Sequence, residues 1–88
     1  MKINSISPGL YRIEDGPLFI ARHHRNQWLV INVETEEYSN YFSSLLEAKT
    51  EGGKALGGAP LIHDMNHSEV AEFLIPSIKS WISSEFMT

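Results

Sequence analysis

The segment ARHHRNQW, residues 21–28, concentrates side chains that can bind anions or metal ions. Arg22 and Arg25 enclose two adjacent histidines, His23 and His24. Arginine pairs with phosphate and carboxylate groups, and histidine is a common metal ligand. Clustered polar residues are also typical of a hydrated turn between two strands. The segment therefore has three interpretations: a nucleic-acid contact, part of a metal site, or a solvated hairpin tip.

A second pair of histidines lies in HDMNH, residues 63–67. His63 and His67 are four positions apart with Asp64 between them, which superficially resembles the zinc-protease pattern of two histidines on one helix face. The aspartate is one methylene shorter than the glutamate base of that pattern, and a helix is predicted to begin here. We expect these residues to serve the start of that helix, and a metal-dependent enzyme is the weaker alternative.

The remaining sequence lacks the pattern of a reaction centre. GGKALGG, residues 52–58, resembles a phosphate-binding loop in composition alone, because it lacks the Gly-Lys-Ser/Thr ending and does not follow a predicted strand. The chain has no cysteine, which excludes a disulfide framework, a thiolate zinc site and a cysteine nucleophile. Its hydroxyl residues occur without a nucleophile-elbow motif. We therefore predict that the protein is not an enzyme and needs no cofactor.

Length and composition predict a single soluble domain. A chain of 88 residues is too short to supply two cores, so we expect one domain over residues 1–88. No apolar run approaches the ~20 residues of a membrane span, and we predict a cytoplasmic protein. The net charge of −4 divides into +2 over residues 1–33 and −6 over residues 34–88. A weakly basic end could meet an acidic partner, although scattered solubilising charge is the simpler interpretation.

Three short apolar runs in the first third predict strands. They cover residues 9–14, 17–22 and 27–33, are rich in aromatic and β-branched side chains, and are separated by turn-forming residues. Together they predict a three-stranded antiparallel meander. The first turn places Ile13 opposite Leu18.

With HHRN, residues 23–26, as the second loop, the meander has a defined register. Ile20 is predicted to face Leu29, which divides the side chains between two faces of the sheet. One face is predicted to hold Tyr11, Ile13, Leu18, Ile20, Leu29, Ile31 and Val33. The other is predicted to hold Leu10, Arg12, Phe19, Ala21, Trp28, Val30 and Asn32. The second face is mixed but carries two large aromatics, so it needs a cover or a partner.

Two helices are predicted after an acidic link over residues 34–37. A short amphipathic helix in residues 39–53 has Ser39 or Asn40 as cap and Gly52 as terminator, followed by a flexible connector over about residues 52–62. The segment from 67 to 86 carries an apolar stripe that keeps its phase across Pro76. This predicts one helix kinked near Pro76, or two segments meeting near Leu74. The predicted fold class is α+β, with the order βββαα.

The widths of these elements limit how they can pack. Three strands make a sheet ~14 Å wide, whereas two helices side by side need ~18–20 Å. Both helices therefore cannot bury their stripes on one face of this sheet. We expect that the last helix shares its aromatic stripe with a second subunit, and the alternative is a monomer with one helix on each face.

The predicted function is that of a small acidic accessory or regulatory factor that binds another protein. Its size suits a phage or other mobile element, and the partner is another protein or a second copy in a homodimer. The predicted contacts are the acidic surface and three aromatic residues of the last helix, Phe73, Trp81 and Phe86.

The alternative is a nucleic-acid-binding regulator that uses a basic hairpin tip and one sheet face. Some DNA-binding domains lay a small sheet in the major groove, which is a topological analogy only. The overall acidity counts against this alternative, because cationic contacts to phosphate supply most of the affinity for nucleic acid. Its predicted contact residues are Arg12, Arg22, His23, His24, Arg25 and Trp28.

Overall fold

The computed structural model describes residues 2–61 and 68–86, and within the second range it describes side chains for residues 72–83. The histidine segment with His63, Asp64 and His67 lies outside the described residues, as does the side chain of Phe86. The metal-site hypothesis and one of the three predicted aromatic contacts therefore stay predictions.

The described chain forms one five-stranded antiparallel sheet and two helices. The strands are β1 (Ile3–Ser7), β2 (Leu10–Ile13), β3 (Leu18–His24), β4 (Gln27–Asn32) and β5 (Glu37–Tyr38), and they follow one another in chain order across the sheet. The helices are α1 (Leu45–Leu56) and α2 (Ser68–Phe86). The α+β class and the central meander are confirmed, whereas the count of three strands is wrong because each edge carries a further strand. Both edge strands are short or polar, so their hydrophobic pattern is weak.

The register between β2 and β3 agrees with the prediction, but the register between β3 and β4 does not. Arg12 pairs with Phe19, the register that places Ile13 opposite Leu18. Ile20, however, pairs with Val30 rather than with Leu29. The predicted four-residue loop is wrong, because both histidines continue β3 with a bulge between Arg22 and His24.

The shift of one residue reverses the faces of β4, because successive side chains of a strand point to opposite sides of the sheet. Trp28 and Phe19 are therefore not neighbours on one face, and that prediction is wrong. Buried side chains on the α1 side are Ile13, Leu18, Ile20, Val30 and Ala48, with Trp28 packed against them. Buried side chains on the α2 side are Phe19, Ala21, Leu29, Ile31, Val33, Ile75 and Ile78.

Helix α1 begins later and ends later than predicted. Its N-cap is Ser44, whose hydroxyl accepts a hydrogen bond from the Glu47 N–H at 3.2 Å, so neither Ser39 nor Asn40 caps it. The helix continues through Gly52 and ends at Leu56 with Gly57 as its C-cap, which corrects the predicted connector. Gly52 is buried against the sheet, so this glycine permits close packing instead of ending the helix.

Helix α2 covers the opposite face of the sheet and runs without interruption through Pro76. One helix therefore lies on each face, which matches the alternative layout considered from the sequence. Two segments meeting near Leu74 are excluded, and a kink at Pro76 stays a prediction. The side of α2 that packs on the sheet consists of Leu74, Ile75, Ile78, Trp81 and Ile82. Neither described helix combines the length and the apolar character of a membrane span.

Candidate binding surface at one end of the sheet

The turns of the meander separate opposite charges to the two ends of the sheet. In an antiparallel sheet with neighbouring strands joined in sequence, alternate connections lie at opposite ends. The β1–β2 and β3–β4 turns share one end, and the β2–β3 and β4–β5 turns share the other. The first, here called the basic end, carries Arg22, His23, His24 and Arg25. The second, here called the acidic end, carries Glu14, Asp15, Glu34, Glu36 and Glu37.

The hairpin between β3 and β4 presents the four basic-end side chains to solvent. All four are exposed. Only Arg25 and Asn26 form the turn, and Asn26 has a φ of 63°. Asparagine tolerates this left-handed conformation better than most residues, because its short side chain can hydrogen-bond locally. The tight turn extends β3 to His24 and brings both imidazoles onto the sheet end.

Arg22 is positioned by an aromatic ring and by a glycine. Its guanidinium carbon lies 5.7 Å from the centroid of the Trp28 ring, within the range of a cation–π contact. The backbone N–H of Arg22 donates to the Gly9 carbonyl at 2.8 Å. Gly9 has a φ of 81°, and a Cβ there would lie 3.6 Å from the Arg22 Nε atom. The positive φ of this turn residue favours glycine, and the arginine side chain lies against the turn at van der Waals distance.

His23 stacks on a tyrosine from the segment after β5, and the ring of His24 is tilted by 57° against that of His23. The ring centroids of His23 and His24 are 3.9 Å apart, and those of His23 and Tyr41 are 5.9 Å apart with an interplanar angle of 10°. Desolvation by burial raises the pKa of Tyr41 above its ordinary value of 10.0. The basic end therefore offers one stacked pair of rings, His23 and Tyr41, on the α2 side of the sheet, and the Arg22–Trp28 pair on the α1 side.

The segment from residue 39 to residue 42 joins this surface through β4. Trp28 and Phe42 exchange backbone hydrogen bonds of 2.9 and 2.7 Å. The sequence pattern assigned residues 39–42 to the first helix. It therefore did not predict that Tyr41 and Phe42 would be neighbours of the β3–β4 hairpin. The signal available was the adjacent aromatic pair Tyr41 and Phe42, which is as typical of a short edge strand as of a helix start.

Glu47 brings one carboxylate to the start of α1, near this segment. It accepts hydrogen bonds from the Ser43 hydroxyl at 3.2 Å and from the Ser43 N–H at 3.4 Å. These bonds hold the carboxylate on the first turn of its own helix, where negative charge is favourable.

Arg12, although predicted as a contact of the same surface, belongs to the other end of the sheet. Its Nε donates to the Gly16 carbonyl at 2.9 Å and its Nη2 donates to the Asp15 carbonyl at 3.1 Å. Its guanidinium carbon lies 5.3 Å from the Phe19 ring centroid. Arg12 therefore stabilises the β2–β3 turn. The other five predicted nucleic-acid contacts gather at or beside the basic end.

The predicted aromatic contacts of α2 separate into different environments. Phe73 is 73% exposed. Trp81 is half-buried and meets Phe19 edge to face, with ring centroids 6.3 Å apart. In the described part of the chain, no three histidine, cysteine, aspartate or glutamate side chains cluster in a way that could hold a metal ion.

Comparison with known proteins gives no relative from which a role could be inferred. No protein-family model matches the chain, and neither a curated protein nor a solved structure shows significant similarity to it.

Proposed function

We propose that the chain is a small, non-enzymatic binding module that recognises an acidic segment of another protein through the basic end of its sheet. The observation that supports this is the separation of charge along the strands, with Arg22, Arg25 and two imidazoles at one end. Such a module would act as a cytoplasmic accessory or regulatory factor.

The basic end suits carboxylates because its cationic groups are pre-positioned. Contact with the Trp28 ring limits the motion of the Arg22 guanidinium, so less side-chain entropy is lost when it pairs with a carboxylate. Arg25 projects from the turn itself. The rings of His23 and Tyr41 add a flat surface for the apolar parts of a bound segment.

A protein partner fits this surface better than nucleic acid does. Proteins that bind duplex DNA commonly neutralise about 6–10 phosphates, whereas this end presents two arginines and two histidines. The carboxylates of the acidic end would also repel a long polyanion that extends beyond the hairpin. An acidic peptide segment is short enough to contact the basic end alone.

The non-enzymatic role is part of the same proposal. It is supported by the position of the described basic and aromatic side chains on an exposed sheet end, because general acid–base and nucleophilic catalysis depend on groups held in a cleft. Assays for a bound metal in the purified protein would test the remaining alternative, an enzyme at His63, Asp64 and His67.

The binding proposal is tested by fluorescence anisotropy with a labelled polyglutamate peptide. We expect binding that weakens about tenfold in the double variant Arg22→Ala/Arg25→Ala, equivalent to about 1.4 kcal/mol over two exposed contacts. The matched control is Lys49→Ala/Lys54→Ala on α1, which changes the net charge equally and should leave affinity within about twofold.

Two outcomes would contradict the proposal. Equal weakening in both double variants would mean that only net charge matters. Tighter binding of single-stranded or duplex DNA than of the peptide, lost in the Arg22/Arg25 variant, would favour the nucleic-acid alternative.

A further inference from the structure

An apolar groove opens between α2 and the β1–β2 turn, next to the basic end. Its volume is about 310 Å³, which is near the lower limit of small-molecule sites, so it suits one large side chain better than a cofactor. Its apolar wall consists of buried or half-buried side chains, namely Ile6, Leu10, Ala21, Leu74, Ile78 and Trp81. A recess of this kind can bury an apolar side chain of a partner.

The mouth of the groove is open to solvent. Ser7 and Pro8 border it on the sheet side and Ser77 borders it on the helix side, and all three residues are exposed. Ala21 and Ile78, by contrast, are each only 3% exposed. An apolar centre within a more polar rim is the usual arrangement where a protein surface receives a partner.

Arg22 connects the groove to the basic end. Among the described residues that line the groove, Arg22 alone carries a charge. Gly9 also lines the groove, and a Cβ on Gly9 would lie 3.6 Å from the Nε atom and 3.9 Å from the Nη2 atom of Arg22. The guanidinium is therefore separated from the groove by about one residue. His23 stacks on Tyr41 on the same side of the sheet as the groove.

We propose that the acidic segment recognised by the basic end also carries a large apolar side chain, which enters this groove. The inference rests on the proposed function, because it specifies the composition of the segment that the same surface binds. Consecutive Cα atoms of a chain are about 3.8 Å apart, so a segment that lies across Gly9 can place one side chain in the groove and a neighbouring carboxylate at Arg22. The partner sequence is thus a leucine, or a residue of similar size, flanked by glutamate or aspartate.

The charge beside the groove distinguishes it from other grooves of similar size. One groove on α1 is lined by Glu47 and Glu51, and one at the acidic end is lined by Glu37. An acidic segment bound at either place would meet like charges, which is destabilising. The groove beside Arg22 combines an apolar interior with a charge of the sign that the segment requires.

Two labelled peptides of equal charge test this inference with the full chain. Both have three glutamates on each side of a central residue, which is leucine in one peptide and alanine in the other. By fluorescence anisotropy, we expect the leucine peptide to bind about tenfold more tightly, equivalent to about 1.4 kcal/mol, because burial of its larger side chain removes more apolar surface from water. The methyl NMR signals of Leu10 and Leu74 should shift more with the leucine peptide than with the alanine peptide.

Ser77→Trp should close the groove, because Ser77 is exposed at its mouth. In this variant the affinities of the two peptides should lie within about twofold of each other. The matched control is Ser83→Trp, since Ser83 is also exposed on α2 but lies about 180° round the helix from Leu74. It should keep the tenfold preference for leucine. Circular dichroism checks the folding of each variant, and the comparison of the two peptides on the wild type does not depend on either variant.

Equal affinity of the wild type for the two peptides would overturn the inference, because no apolar side chain of the segment would then enter the groove. A preference for leucine that persists undiminished in folded Ser77→Trp would overturn it as well. In both cases, binding that still weakens in Arg22→Ala/Arg25→Ala would leave the proposed function intact. Failure of both peptides to bind would overturn the proposed function and this inference together.

Discussion

Gly52 of α1 packs directly against Ile13 of β2, and a Cβ on residue 52 would overlap the Cδ1 atom of Ile13. Ile13 is fully buried, and the Cδ1 atom of its neighbour Ile20 lies 3.8 Å from the same Cβ position. A glycine inside a helix costs about 1 kcal/mol of intrinsic helix stability relative to alanine. Close contact between helix and sheet offsets this cost.

Gly52→Ala is therefore expected to destabilise the fold although alanine is the better helix former. Overpacking costs about 1–3 kcal/mol and the gain in helix propensity about 1 kcal/mol, so we expect a net loss of roughly 1 kcal/mol in the free energy of unfolding. Urea denaturation followed by circular dichroism measures it.

A double-mutant cycle separates the overlap from other effects of Gly52→Ala. Valine lacks the Cδ1 atom, so in the Ile13→Val background the same Gly52→Ala change should be neutral or stabilising. The same loss in both backgrounds would show that the Ile13 contact does not explain the glycine.

Ser39 completes the sheet where β5 ends. The Val30 N–H donates to the Ser39 hydroxyl at 2.8 Å, and the Ser39 N–H donates to the Val30 carbonyl at 2.9 Å. Ser39 is only 2% exposed, and its hydroxyl also donates to the Asn40 carbonyl at 2.9 Å. A side-chain oxygen thus takes the position in the ladder that a backbone carbonyl would hold.

Ser39→Ala is expected to lower the free energy of unfolding by about 1–3 kcal/mol, because the Val30 N–H would stay buried without an acceptor. Ser5→Ala on β1 is the control, since Ser5 is exposed and should change stability by less than about 0.5 kcal/mol. Amide hydrogen exchange gives a local test, because exchange at Val30 should accelerate in the Ser39 variant alone.

The α+β class, the three central strands and the long last helix could be predicted because each follows a strong hydrophobic period. The period also predicted the pairing of β2 with β3. It did not predict that His23 and His24 extend β3, because polar residues next to an asparagine are equally typical of a loop. The bulge that accompanies this extension, between Arg22 and His24, moves β4 by one residue from the predicted register and places Trp28 on the opposite face from the predicted one.

The basic end could be predicted only in part, because local sequence shows which residues are adjacent but not which distant segments pair with them. The cluster of Arg22, His23, His24 and Arg25 is adjacent in sequence, so its grouping needed no tertiary information. Its contacts with Gly9 and Tyr41 depend on pairing between distant segments. Gly52 is a case in which local sequence gave the wrong expectation. Glycine tends to end a helix, but the packing of this residue against the sheet, which no local pattern reveals, keeps it inside α1.

Tyr41 gives the fold a dependence on alkaline pH whose sign follows from its burial. Burial raises the pKa of Tyr41 in the folded state above 10.0, so the folded protein holds this proton more tightly than the unfolded chain does. The contribution of the protonated Tyr41 to the free energy of unfolding is fully present below pH 10 and is lost as the pH rises through the pKa of the folded state. The free energy of unfolding should therefore fall at alkaline pH, and part of that fall should be absent in Tyr41→Phe.

The Tyr41→Phe variant is informative because phenylalanine keeps a ring that can stack on His23. The variant lacks the hydroxyl at every pH, so losing the contacts of the neutral hydroxyl changes the free energy of unfolding by a constant amount. A difference between the two proteins in the slope of this free energy against pH therefore reports the ionisation of Tyr41. Urea denaturation at intervals between pH 8 and about pH 11 should give a shallower decline for the variant than for the wild type. Parallel curves would mean that the ionisation of Tyr41 has the same cost in both states, and the desolvation of its hydroxyl would then be too small to affect stability.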